Sequence, residues 1–206
     1  MLAAWAILAG AGCAQARHRL TGEEARTAAA FFASAQDVPF PIRASYTGIA
    51  EISGRTVPFL AGLYSRTPSE ETLGFYDPMG RAVLFLRNDG GWVSVRRGPA
   101  AKEFPPEDIR PVDAGPVSIG RILSGTPGYA VSGGEAGRMA DGAWVLEAGA
   151  QTLFSDPSRR LLFRADYAIC GKRVSVTYPE RNAPGTPRMV EVEIMGNRIV
   201  LRRDEE

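Results

Sequence analysis

From Arg43 to the C-terminus the chain is a succession of short β-rich runs broken by turn residues, and this meander most limits what it can fold into. Ser45–Ser53, Thr56–Arg66 and Glu71–Tyr76 come first, followed by the turn Asp77-Pro78-Met79-Gly80. Ala82–Arg87 and Trp92–Arg96 then flank Asn88-Asp89-Gly90-Gly91. Proline presets φ at the second turn position and glycine accepts positive φ, so runs joined in this way are antiparallel hairpins. Further runs are expected near Tyr129, Trp144 and Leu153, and then at Leu161–Ile169, Arg173–Tyr178, Met189–Met195 and Ile199–Arg202. Val174, Val176 and Tyr178 share one face, as do Val190, Val192 and Ile194, while Glu191 and Glu193 take the other. Such alternation marks a sheet with one covered face and one wet face.

Two helices interrupt this pattern. Thr21-Gly22-Glu23-Glu24 reads as a capping box, and Ala25, Ala28, Ala29 and Phe32 fall on one face at helical spacing, which predicts a helix from about Gly22 to Ala35. Pro39 and Pro41 stop its continuation. After a polar, Pro-rich loop from Gly98 to Pro111, the stretch from Gly115 to Gly125 reads as a short inserted helix with Pro116 in its first turn. Two helices are too few to cover a flat sheet of about ten or eleven short strands. The expected architecture is therefore mainly β with α: an incomplete antiparallel β-barrel covered by the N-terminal helix and the inserted one. A length of 206 residues with no internal repeat gives one domain, expected over 21–206.

The N-terminus has a different texture. MLAAWAILAGAG carries no charge and stops at Cys13. It is shorter than the ~20 residues that cross a bilayer, and it has the length of a signal-peptide core. Small residues immediately before Cys13 resemble the lipobox of bacterial lipoproteins. That resemblance implies a signal peptide over 1–12, lipidation of Cys13, a tether over 13–20, and an outer-membrane destination, since Ala14 and not Asp follows the cysteine. Several acyl chains would make the anchoring stable. Cys170 is then left as a small packed side chain at a strand end.

Several chemistries are excluded. With 24 Lys+Arg against 23 Asp+Glu the net charge is +1, which speaks against nucleic acid as a partner. One histidine, His18, and two distant cysteines make no zinc site, and no cofactor is expected. There is no GxSxG elbow, P-loop or dinucleotide fingerprint, and His18 lies in the tether, so no catalytic residue is assigned. Glu70-Glu71 and Glu23-Glu24 are explained by solvation at a turn or by the helix dipole, and Arg96-Arg97 and Arg159-Arg160 as solvated strand ends.

The inward faces of the expected strands carry Phe59, Leu63, Leu73, Phe75, Val83, Phe85, Trp92, Trp144, Leu146, Leu161, Phe163, Tyr167, Ile169 and Val174. A solid core and a lipid-sized pocket are both compatible with such a list.

Read in order, these segments resemble the LolA/LolB superfamily of lipoprotein carriers, and the LolB outer-membrane receptor branch in particular. A lipobox-like Cys13 and a capped helix come first. Asp77-Pro78-Met79-Gly80 corresponds to that branch's Asn-Pro-Leu-Gly turn, and Ile122-Leu123-Ser124-Gly125-Thr126-Pro127-Gly128 is similar to its Ile-Leu-Gly-x-Pro-Gly segment. Gly171-Lys172 through Tyr178, Pro187, Val192–Ile194 and Ile199–Leu201 follow the closing strands. The resemblance implies a non-enzymatic monomer that holds acyl chains against the inward residues above together with Ile122 and Leu123. It would accept lipoproteins or lipid from a soluble, LolA-like periplasmic carrier and insert them into the outer membrane. Met79, presented between Pro78 and Gly80, would be the side chain that assists insertion. The alternative is a structural or assembly lipoprotein of the envelope with a solid core and a protein partner.

Overall fold

A computed structural model of the protein describes residues 17–35, 37–99, 111–182 and 185–205. Cys13, the expected signal peptide and most of the Pro-rich loop lie outside these residues.

The elements follow in chain order as β1 (His18–Arg19), α1 (Gly22–Ser34), β2 (Ile42–Ile52), β3 (Arg55–Thr67), β4 (Glu70–Tyr76), β5 (Ala82–Asp89), β6 (Trp92–Arg97) and β7 (Val112–Asp113). Then come α2 (Ile119–Leu123), β8 (Glu135–Arg138), β9 (Trp144–Ala148), β10 (Gln151–Ser155), β11 (Leu162–Ile169), β12 (Lys172–Arg181), β13 (Pro187–Ile194) and β14 (Asn197–Arg203). All strands join one 14-stranded sheet in the order β1-β8-β9-β10-β11-β12-β13-β14-β2-β3-β4-β5-β6-β7. Each pairing is antiparallel, and the sheet does not close into a barrel. The chain starts at one edge and crosses to the middle through α1. It meanders to the far edge, returns over the sheet through α2, and meanders back to lie beside β2.

Fourteen strands exceed the expected ten or eleven, partly because β1 and β7 are two-residue edge strands. His18 and Arg19, placed in the tether by sequence, pair with Arg138 and Gly137 of β8, and Leu20 is buried. No strand forms at Tyr129. There the side chain of Gln151 substitutes for a strand, donating to the Tyr129 carbonyl at 3.1 Å and accepting its N–H at 3.3 Å. The expected capping box is also absent: Thr21 is the N-cap of α1 but makes no side-chain cap bond. Glu24 pairs instead with Arg138, and Arg159 lies 3.9 Å from it, which ties α1 to the β8 side of the sheet.

Register defines the covered face, because residues directly opposite in an antiparallel pair point the same way. One inner row runs Val190–Leu201–Gly48–Phe59, and the next runs Arg203–Tyr46–Ala61–Phe75–Leu84–Arg97. A third runs Ala44–Leu63–Leu73–Leu86–Val95. At Gly48 the absent side chain has a purpose: the Phe59 ring lies where its Cβ would be. Burying each such Leu or Phe contributes ~1.5–3 kcal/mol.

Candidate functional site

Most of the inward residues expected from sequence converge on the face that α1 and α2 cover. Phe59, Leu63, Leu73, Ile122, Leu123, Trp144, Leu146, Tyr167 and Val174 are buried in one apolar cluster, with Phe75 and Ile169 half-buried against it. Five residues do not belong to it: Val83 is half-buried outside the cluster, Leu161 is 38 % exposed ahead of β11, and the other three are turned out by register. Phe85 sits opposite Gly74 and turns outward, where its ring meets Tyr76 edge-on at 6.0 Å; Leu84 and Leu86 take the inward positions. Trp92 is 55 % exposed, since Val93 and Val95 are the inward residues of β6. Phe163 is exposed because the β10–β11 register slips there: Phe154 pairs with Arg164 but Ser155 pairs with Leu162, leaving Phe163 as the extra residue of a bulge.

Beneath α1 and α2 the inner face is packed with the protein's own side chains. From α1, Phe32 is fully buried, and Phe31 packs its ring against Phe32 at 4.9 Å and Trp144 at 5.8 Å. The segment around α2 is a strap laid across the sheet. Ala114 N–H bonds to Gly91 O at 2.9 Å, Ser118 N–H to Gly128 O at 2.9 Å, and Asn88 Nδ2 to Val117 O at 2.8 Å. At the other side Tyr178 donates its hydroxyl to Ile122 O at 2.9 Å, and the Tyr167 hydroxyl accepts Gly128 N–H at 3.2 Å. Burial pushes both phenols well above the ordinary tyrosine range, so both stay protonated.

The strap's strongest fastening is Glu71, which sequence placed at a solvated turn. It is buried, points inward from β4, and receives the Ser65 and Ser118 hydroxyls at 2.8 and 2.7 Å, the Asn88 amide at 2.9 Å, and the Ile119 and Gly120 N–H groups at 2.7 and 2.8 Å. One carboxylate thus satisfies the start of α2 and joins it to β3, β4 and β5. A signal for it exists in the sequence: Glu71 has the same parity as Leu73 and Phe75, so it faces the core side of its strand.

Toward the end of the sheet that carries the β2–β3, β4–β5 and β13–β14 turns, the inner face opens. Val192, Ile194 and Ile199 are half-buried there, and Ile52 and Val57 are 45 % and 48 % exposed. At the same end the β4–β5 turn holds Met79, 82 % exposed. Asp77 fixes this turn. Its Oδ1 accepts the N–H groups of Met79 at 3.0 Å and Arg81 at 2.9 Å, its Oδ2 accepts Arg81 Nε at 2.7 Å, and its carbonyl accepts Gly80 N–H at 2.8 Å. The backbone N–H of Arg81 is the largest cause of a carboxyl held below the usual aspartate range. Gly80 adopts φ +77°, so the turn needs glycine at that position. Met79 is therefore displayed by a braced loop, not folded onto its own hairpin.

Two open grooves, of about 550 and 620 Å³, lie on the opposite, polar face of β9–β14 and share Arg173. Between them Asp166 accepts Ser175 Oγ at 2.7 Å, Arg164 Nε at 3.0 Å and Arg173 Nη2 at 2.6 Å. Burial opposes its ionisation, but these donors outweigh burial and keep its carboxyl low. These grooves do not coincide with the expected acyl-chain space. Cys170 is exposed in the β11–β12 turn, not packed as expected, with its Sγ 3.4 Å from Asp113 O. Among the described residues there is no metal-binding cluster, and no helix is long and apolar enough to cross a membrane.

No protein-family model and no curated protein matches the sequence. Among solved structures, a LolA superfamily protein from Nitrosomonas europaea superposes with a TM-score of 0.51 at 12 % identity, over 88 % of this chain and 91 % of that one. A DUF1329 family protein from Desulfovibrio piger follows with a TM-score of 0.47 at 13 % identity, over 88 % and 91 %. A domain described as outer membrane lipoprotein-sorting, from Vibrio parahaemolyticus, has a TM-score of 0.46 at 10 % identity, over 89 % and 91 %. The first likeness shows that the chain has the fold of a LolA superfamily protein.

Proposed function

We propose that this protein is a non-enzymatic, lipid-anchored carrier or receptor of the LolB type. In this reading it takes acylated lipoproteins or lipid from a LolA-like periplasmic carrier and passes them to the outer membrane. Residues 1–12 are then a lipoprotein signal peptide, Cys13 the acylated residue, and the domain sits at the periplasmic face.

The observation that carries this reading is the coincidence, at one end of the sheet, of an open apolar margin and a braced, protruding Met79. Each methylene withdrawn from water contributes ~0.8 kcal/mol, so an apolar face can hold a long chain and release it downhill to a bilayer without nucleotide. Beneath α1 and the strap the inner face is packed with the protein's own side chains. Cargo therefore enters by displacing α1 or the strap, whose apolar residues, Phe31, Phe32, Ile122 and Leu123, shield the same face that an acyl chain would. Met195, 69 % exposed on the β13–β14 turn, stands at the same end as Met79 and adds a second apolar tip toward the membrane.

Fluorescent fatty-acid titration of the chain from residue 17 onward tests the carrier role, and saturable uptake is expected. The filled inner face favours a second reading, a structural or assembly lipoprotein with a solid core and a protein partner; absence of uptake selects it.

A further inference from the structure

On the inner face, Tyr46 is 1 % exposed, and its hydroxyl has no hydrogen-bond partner among the described residues. Buried hydroxyls are nearly always paired, because an unpaired one has given up its bond to water with none in return. Its neighbour across the strand pair is Arg203, which by register shares the inward row with it. Arg203 is half-buried and, among the described residues, meets no carboxylate: Asp204 bonds Thr47 at 2.9 Å, and the adjacent Arg202 pairs outward with Glu180. Directly beside Tyr46 on this face stand Ala44 along the strand and Ala61 opposite, while Phe59 over Gly48, Leu63 and Leu201 are its larger, apolar diagonal neighbours, none of which offers its hydroxyl a partner. Phe75 and Leu84 continue the row as half-buried apolar surface, and the half-buried Arg97 ends it. The row therefore reads as two donors, a greasy strip and a cation at its far end.

We propose that Tyr46 and Arg203 form the polar end of the acyl-chain site and donate to the carbonyl or carboxylate oxygen at the head of a bound acyl group. This inference rests on the carrier reading and deepens it by assigning the cargo's headgroup position. Burial pushes the Tyr46 phenol up to about 12, with the Arg203 charge partly opposing, so the hydroxyl is a proton donor throughout the physiological range. An acceptor oxygen would satisfy it. A hydrocarbon end would not, so the unpaired hydroxyl sets the head at Tyr46, with the tail along Phe75 and Leu84 toward Arg97. Arg203 strengthens the site for an anionic head, since hydrogen bonds to a charged group are stronger than neutral ones.

Three probes separate the possibilities: cis-parinaric acid, its methyl ester, and diphenylhexatriene, which has no oxygen. Tyr46→Phe keeps the ring and removes the orphaned hydroxyl, so its thermal stability should equal or exceed that of wild type. Affinity for both the acid and the ester should fall roughly tenfold, with diphenylhexatriene unchanged. Arg203→Gln should weaken the acid more than the ester, which distinguishes a free fatty acid from an esterified cargo as the preferred head. Equal affinity of wild type and Tyr46→Phe for acid and ester overturns the proposal while leaving the carrier reading intact. Equal losses for all three probes overturn it as well, because the hydroxyl would then serve packing. If wild type binds none of the probes, the carrier reading itself fails and the headgroup assignment falls with it.

Discussion

The carboxylate of Glu71 on β4 accepts the backbone N–H of Gly120 in α2 at 2.8 Å, and a Cβ on Gly120 would stand 2.9 Å from that carboxylate and 2.8 Å from the Ser65 hydroxyl. Sheet and strap approach so closely only because residue 120 has no side chain. Glu71→Ala leaves the Ser65, Ser118 and Asn88 groups and two backbone donors without their acceptor inside the protein. We expect a loss of about 3 kcal/mol or more in urea unfolding. Gly120→Ala should lose about 1–3 kcal/mol by overpacking. Both should raise amide exchange selectively across 117–123. Unchanged exchange there would mean that the strap does not depend on this junction.

The Met79 turn makes a separate prediction. Met79→Glu replaces an 82 % exposed side chain, so stability should stay within about 0.5 kcal/mol of wild type. Fatty-acid uptake should persist while transfer to vesicles is abolished. Asp77→Ala keeps the methionine but removes its brace, and should reduce transfer partially. Equal transfer by Met79→Glu and wild type would remove this residue from the mechanism.

The sequence carries some of this architecture openly and hides the rest. Val174, Val176, Val190 and Val192 alternate with polar residues, so their shared face is legible, and it is the one that packs. The stretch Val83-Leu84-Phe85-Leu86 has no polar residue to set its phase, so pattern alone draws Phe85 into the core although Leu84 and Leu86 take the inward positions. A bulge that no local residue announces turns Phe163 outward. Glu71 was hidden by its neighbour Glu70: two adjacent acids suggest solvent, yet they point to opposite sides of a strand. The unusual property of Tyr46 is the lack of a partner for its hydroxyl, which only three-dimensional placement reveals. The Asp77-Pro78-Met79-Gly80 turn, in contrast, was fully legible, because proline, glycine and an Asx-type aspartate each act locally.

Asp166 predicts a pH dependence. Its folded carboxyl titrates below its unfolded value because three donors stabilise the anion. A depressed folded value means that stability is fully present above the unfolded pKa of ~3.9 and is lost as pH falls through the folded one. Thermal unfolding from about pH 5 to pH 2 should therefore show a decline that is shallower in Asp166→Asn. That variant should also be less stable at neutral pH, since an amide presents an N–H₂ to Arg164 and Arg173. Parallel pH curves would remove Asp166 as a contributor.

Met195 offers the sharpest contrast between stability and use. Met195 and Gly196 make the β13–β14 turn with φ of +52° and +77°, the left-handed pair that two-residue hairpins adopt, where asparagine is preferred at the first position. Methionine is a poor choice for that backbone and is 69 % exposed, so neither local conformation nor burial accounts for it. Met195→Asn should stabilise the fold by about 0.5–1 kcal/mol in urea titration. If the turn touches the bilayer beside Met79, the same substitution should weaken vesicle association, and Met195→Leu should retain it at lower stability than Asn. The β11–β12 turn supplies the control: Cys170, at φ +52° in the corresponding position, should gain similar stability on Cys170→Asn with no change in vesicle binding. Equal vesicle binding by Met195→Asn and wild type would confine the membrane contact to the β4–β5 turn.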